Sequence, residues 1–416
     1  MTGDAPVREP SSVLDVKGDA QNGYHAGYNY LQHIPSSEPR RIIGRAPYTS
    51  RVVVYRPQDM RNFSGVTIME TIHPSDDGFL EVFNVINRFY ASRGIAVVTI
   101  NHPTSFDATQ KSNPERYGSL DVKDWTQFWG TLQQLGQIIK NPRSSPLAAV
   151  TKRLYLTGYS FTGMCTSTFA NFYHDETRLP SGAHIFDGYL PHCNEYYIQP
   201  MSAPVIRVNT QSDFDYATNN SYNPFARVPD ADDPYNRTRR YEVSGSDHAP
   251  LPLAEAGDAV PPPRTTGGGI GRCMSTFPTG AQANPIPFLR PILEIAVVHM
   301  EEWLTKGTPP PHAPRIEIGP DIKKAKVDEN GNAVGGLRMP DLQYPLATYG
   351  VGDDECRLAG YRIPFSVEKC RRLYGDMNHY LSLYDAACDH MVAARWMLPA
   401  SSERLKNSMR SRIQEF

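Results

Sequence analysis

The chain has 416 residues, 40% of them hydrophobic and 21% charged, and a formal net charge of −2. That is enough apolar material for one large core or for two or three smaller ones, and the near-neutral balance excludes a global basic field for nucleic acid. No apolar run is long enough for a membrane span.

The N-terminal stretch "MTGDAPVREPSSVLDVKGDA" has no basic start followed by an apolar run, so no signal peptide is expected. The expected location is cytoplasmic, or secreted if a leader has been trimmed. The six cysteines form no CxxC pair, so a zinc site is not expected, while their even number permits disulfides. Sequons stand at Asn62, Asn219 and Asn236 and matter only in a secreted protein.

In chain order, residues 1–47 are polar and proline-punctuated and read as an extended arm with one short strand. "SRVVVYRP" (50–57) and "GVTIMETIH" (65–73) are β-branched runs between turn residues, hence strands. "FLEVFNVINRFYASRG" (79–94) has helical spacing and a terminal glycine. "IAVVTINHP" (95–103) reads as a strand buried on both faces. A helix over 119–140, a strand over 152–160, a helix over 161–174 and strands over 182–191 and 203–213 follow. Strands alternating with helices predict a mostly parallel sheet covered on both faces, with ligands at the carboxyl ends of its strands.

Residues 214–240 and 249–288 lack any period and read as lid-like insertions over the sheet edge. "NPIPFLRPILEIAVVHMEEWLTKG" (284–307) ends in an amphipathic helix stopped at Gly307, and residues 364–415 hold two or three helices. The expected organisation is an arm (1–47), a core with its insertions (48–310) and a mainly helical C-terminal extension (311–416) packed on the core.

The chemistry centres on "YLTGYSFTG" (155–163). A serine between an apolar strand and a helix, with Gly158 two before and Gly163 three after, fits a sharp turn that projects a nucleophile. Thr162 stands where a second small residue is usual. The helix beginning at Phe161 aims free N–H groups at the same point, so the Phe161 N–H is an expected oxyanion donor.

A serine needs a base and an acid, in the chain order Ser, acid, His. The strand "PVIRVNTQSDFD" ends at Asp213, preferred over Asp215, and "RYEVSGSDHAP" places His248 after a strand and a glycine turn. Asp247 reads as a loop residue. His73, His102 and His192 also fall at the carboxyl edge of the sheet; His73 ends a strand where an oxyanion loop usually begins, and the loop 73–77 is expected to supply the second donor. Tyr159 is a candidate substrate contact. "TGGGIG" (266–271) follows no strand and reads as a loop.

Beyond this triad, "YTSRVVVYRP", "NPERYGSL", "GYSFTG", "IFDGYLPH", "YEVSGSDH", "EEWLTKGTPPP" and "DENGNAVGGLRMPDLQYPLATYG" occur in an order that resembles the alpha/beta hydrolase domain family, over about 48–400. The resemblance implies an α/β-hydrolase fold with Ser160 as nucleophile, His248 as base and Asp213 as acid. Members commonly carry Gln where this chain has Phe161, Glu where it has Gln211, and Asn and Gly-Gly in the region after Glu70.

The expected activity is hydrolysis of an ester or lactone, the substrate being a bulky apolar or aromatic small molecule, with no metal or organic cofactor. An acyltransferase, cyclase or isomerase on the same scaffold, and a non-catalytic binding protein, are the alternatives.

Overall fold

The computed structural model describes residues 12–25, 40–74, 81–122, 125–147, 149–214, 227–248, 273–284, 288–320, 324–353 and 356–413. Asp215, Asn219, positions 75–77 of the expected oxyanion loop, residues 215–226 of the first expected insertion, most of the second and the 266–271 glycine stretch lie outside these residues.

Contacts divide the chain into two units: one holds the described residues up to Val205 with Ala231–Arg237, the other those of Ile206–Asp230, Thr238–Leu253 and Gly267–Phe416. The chain crosses between them within β7 (Val205–Thr210) and within β9 (Asn236–Val243).

The first unit is built on β1 (Ser12–His25), β2 (Arg40–Tyr55), β3 (Val66–Ile72), β4 (Ala96–Asn101), β5 (Arg153–Tyr159) and β6 (Gly188–His192), in the order β1-β2-β4-β3-β5-β6. β1 and β2 pair antiparallel over their whole length, so the N-terminal region carries more strand than its polar sequence suggested. β2 also meets β4 antiparallel. From β4 onward the pairing is parallel: β4 with β3, β3 with β5, β5 with β6, and β6 with the start of β7 through Tyr189 and Val205.

Strands β3 and β4 are buried at every residue, which explains their mainly apolar and β-branched character, Glu70 and Asn101 being the exceptions. The connections are helical: α1 (Glu81–Ser92), α2 (Phe106–Ser112), α3 (Pro114–Tyr117), α4 (Gln127–Lys140) and α5 (Phe161–Tyr173). α4 starts later than the expected 119, because Asp121 bridges to Thr49 beside β2. A core of Val52, Val98, Leu132, Leu156, Phe169 and their neighbours fills the space between helices and sheet.

In the second unit the rest of β7 lies beside β9. Residues 231–240, expected within an insertion, instead contain β8 (Ala231–Asp233) and most of β9. Buried Glu242 on β9 gathers Arg227, Arg240 and the Ile316 N–H; burial opposes its charge, but the two arginines hold its carboxyl down to about 2.

Helix α6 (Leu289–Lys306) ends at Gly307, whose φ of 67° is the left-handed cap expected of that glycine. A small antiparallel sheet follows, in the order β10 (Gln282–Ala283), β12 (Gly360–Pro364), β11 (Ala347–Val351). The tail forms α7 (Pro340–Gln343), α8 (Val367–Tyr374), α9 (Met377–Ala393) and α10 (Pro399–Arg412). Arg404 and Ser401 of α10 bond Glu294 of α6, and Tyr384 of α9 bonds Asp341 of α7 at 2.8 Å. Cys273 and Cys356 form a disulfide across 83 residues of sequence. Among the described residues no helix is long and apolar enough to cross a membrane.

Candidate active site

In the first unit the turn between β5 and α5 forces Ser160 to φ 55° and ψ −122°. For a side chain with a Cβ this is a strained conformation, of order 1–3 kcal/mol, and it persists only where the surroundings over-determine it. They do so here. The Ser160 N–H donates to the His192 carbonyl at the end of β6 (3.1 Å). A Cβ on Gly158 would meet the Thr162 carbonyl oxygen at 2.2 Å, and one on Gly163 would meet the His192 oxygen at 2.4 Å. Both glycines are therefore required by close backbone approach.

Thr162 turns its departure from the usual small residue to use. Its hydroxyl accepts from the Tyr159 N–H and donates to the Tyr159 carbonyl, both at 2.9 Å, and so ties the turn across Ser160. Tyr159 itself is buried.

Around the elbow stand residues from the neighbouring strand ends. His73 follows β3, and its ring lies 6.1 Å from that of Phe161, edge to face. His102 follows β4 and lies 5.1 Å from the same ring. Buried Glu70 on β3 accepts the Val82 and Phe83 N–H groups at the start of α1, at 2.9 and 3.0 Å; burial nevertheless pushes its carboxyl up to about 8.

In the second unit β7 stops at Thr210, short of the expected 213, and Asp213 lies in the helical turn just after it, accepting from His248 Nδ1 at 2.5 Å. Its other oxygen accepts from the Thr210 N–H at 2.9 Å and the Thr210 hydroxyl at 2.7 Å. Burial works to raise the Asp213 pKa, but His248 and the Thr210 donors together hold it below the usual carboxylate range.

The loop that presents His248 is fixed from the same strand end. Gln211 Oε1 accepts the Gly245 N–H at 2.8 Å, and the Ser212 N–H reaches the Ser246 carbonyl at 3.4 Å. Asp247 takes a different partner, the Gly360 N–H at 2.9 Å, and burial pushes it up to about 7. The two carboxyls nearest the imidazole are thus driven apart, one kept ionised and one tending to neutral, the arrangement by which carboxyl groups divide roles.

The structure therefore brings Asp213 and His248 into contact and places Ser160, Phe161, His73 and Tyr159 together in the first unit. Gln211 and Thr210, which position the pair, carry no local motif, and Thr162 was read only as a departure from the elbow pattern; none was named as a site residue. Elsewhere among the described residues, His174, Asp175 and His184 bring ligand atoms within 4.8 Å of one another. Arg178 occupies His184 Nε2 at 2.7 Å, so a cation would have to displace a cation.

A strained serine after the fifth strand, an acid after the seventh and a histidine after the next long strand define the layout of an α/β-hydrolase. The chain belongs to the alpha/beta hydrolase domain family, whose model matches residues 16–407. A search of curated proteins gave no match.

Similar solved structures include an alpha-beta serine hydrolase homologue from Coxiella burnetii, at 12% identity and TM-score 0.26, covering 39% of this chain and 69% of that one. A serine hydrolase without a lid from Xanthomonas campestris is 14% identical at TM-score 0.27, covering 56% and 85%. Est1E from Butyrivibrio proteoclasticus is 10% identical at TM-score 0.29, covering 48% and 86%. At these scores nothing further follows from them.

Proposed function

We propose that the chain is a serine hydrolase that cleaves carboxylic esters or lactones through an acyl-enzyme. Ser160 Oγ attacks the carbonyl carbon while His248 Nε2 takes its proton. The same proton passes to the leaving oxygen as the C–O bond breaks, and water repeats the sequence to release the acid. Asp213 holds the imidazole with Nδ1–H toward itself, which makes Nε2 the basic nitrogen. The Phe161 N–H stabilises the tetrahedral oxyanion, with a second donor from His73 or the loop it begins. Tyr159 and Phe161 flank an apolar or aromatic substrate.

The observation that carries this reading is the conformation of Ser160. A glycine would occupy φ 55° at little cost, yet a serine is there, projected from a strand-to-helix turn. The 2.5 Å Asp213–His248 bond is the second support. The Cys273–Cys356 disulfide favours an oxidising compartment over the cytoplasm.

The test is turnover of a panel of p-nitrophenyl esters and lactones by wild type and Ser160→Ala, with fluorophosphonate labelling of both. Turnover and labelling that vanish together in the variant support the reading; equal activity in both sinks it. Product analysis in the same assay separates hydrolysis from acyl transfer.

A further inference from the structure

His102 has one nitrogen occupied and one orphaned. It caps the short turn Pro103–Ser105, where Nδ1 accepts the Thr104 N–H at 3.3 Å and lies 2.7 Å from the Thr104 hydroxyl. A backbone N–H can only donate, so Nδ1 is the lone-pair nitrogen and the proton of the neutral ring sits on Nε2. That Nε2–H is buried and has no hydrogen-bond partner, while the residue as a whole is 1% exposed. Burial, and then the nearby His73, push the ring down to about 3, so the imidazole is neutral at working pH. A neutral imidazole held by a capping contact is a hydrogen-bond donor for a substrate oxygen rather than a base.

Its surroundings place the ring beside Phe161 of the elbow. The ring lies 4.6 Å from Phe128, 5.1 Å from Phe161 and 6.3 Å from Trp125, and Trp125 is 39% exposed. Edge-to-face contacts with Phe128 and Phe161 are weak acceptors and do not replace an oxygen. Leaving a buried donor unmet is costly, and sites built this way discriminate strongly against substrates that lack the matching acceptor.

We propose that His102 is a specificity-determining residue whose Nε2–H binds a non-reacting oxygen of the acyl group, beside the aromatic rings of Phe161, Phe128 and Trp125. The preferred substrate class is then an ester or lactone with an ether or carbonyl oxygen in its acyl part. This rests on the reading of Ser160 as nucleophile.

The experiment compares p-nitrophenyl hexanoate with its analogues in which oxygen replaces one chain methylene, position by position. Wild type, His102→Phe and His102→Gln are measured on each. Each ratio is taken between enzymes on one ester, so intrinsic ester reactivity cancels. For at least one oxygen position, His102→Phe is expected to lose about 10- to 100-fold more in kcat/KM than it loses on hexanoate. His102→Gln, which keeps a donor, is expected to recover part of the loss. Equal effects of His102→Phe on all esters, or none, overturn the proposal.

A second readout is independent of turnover. Long-range ¹⁵N–¹H spectra of ¹⁵N-histidine-labelled protein are expected to show His102 as the Nε2–H tautomer from pH 5 to 9. An Nδ1–H tautomer or a charged ring overturns the proposal even if catalysis is intact. Wild-type protein that turns over none of the esters, yet shows the Nε2–H tautomer, counts against the nucleophile reading instead.

Discussion

The elbow and the acid–imidazole pair are built by different means. The elbow is a main-chain construction. Ser160 is held by the His192 carbonyl and by two glycines that no larger residue could replace, all but one of them within six positions of sequence. The pair is a side-chain construction, assembled from Asp213 and His248 just after separate strands and steadied by Thr210 and Gln211. Backbone strain tolerates almost no substitution. A side-chain network can lose a member and keep its outline, so the two regions should fail differently.

The sharpest contrast is between removing the proposed nucleophile and removing the proposed orienting charge. Ser160→Ala takes away the attacking atom and relieves none of the backbone strain, so kcat should fall by about 10⁶ with the fold intact. Asp213→Asn keeps the shape of the pair but offers the imidazole an amide, which stabilises the wrong tautomer. A fall of about 10⁴ in kcat is expected, with KM nearly unchanged. Steady-state kinetics on one p-nitrophenyl ester measure both. If the Asn variant retained full activity, Asp213 would not be the orienting acid, whatever its distance from His248.

That contrast also explains what could be read in advance. The strand–turn–helix with its spaced glycines is local, so "GYSFTG" was legible as an elbow, and the apolar run "IAVVTINHP" announced a strand buried on both faces. Asp213 was chosen because its segment read as a strand ending there, and His248 because it follows a glycine turn; both signals are positional. What sequence did not disclose is contact made across long separations. Gln211 reads as a neutral substitution, yet its amide oxygen holds the Gly245 N–H ahead of His248. The strand residues over 231–239 were hidden because the first half of β9, Asn236, Arg237, Thr238 and Arg239, is polar; Arg239 is accommodated by the Pro310 carbonyl, 2.9 Å from its Nε, and by the Trp303 ring at 4.8 Å.

Thr162 tests how far the elbow depends on more than its glycines. Thr162→Val keeps the volume and β-branching but leaves the buried Tyr159 N–H without its acceptor. A loss of about 1–3 kcal/mol in unfolding free energy is expected, read by urea denaturation. The kcat should fall far less than in Asp213→Asn, because Gly158, Gly163 and the His192 carbonyl still impose the turn. An unchanged stability would mean that the hydroxyl bridge adds nothing to the strain already fixed by the backbone.

The smallest expected effect lies in the pH dependence of stability, where the two regions share a feature. Each contains a buried carboxyl pushed upward, Glu70 to about 8 and Asp247 to about 7. From about pH 4 to 7 the folded chain keeps a proton on Asp247 that the unfolded chain has released, so this group makes stability fall as pH rises through that window. Asp213 has the opposite sign: its folded pKa is depressed, its contribution is complete above the ordinary carboxylate range and is lost only on acidification below it. The two do not overlap. Asp247→Asn keeps an oxygen for the Gly360 N–H and removes the titration. The difference in Tm between variant and wild type should therefore climb with pH from about 4 to 7 and then level off, while the slope due to Glu70 remains in both proteins. A difference independent of pH would show that Asp247 is ionised throughout, and that the imidazole of His248 stands between two charges instead of one.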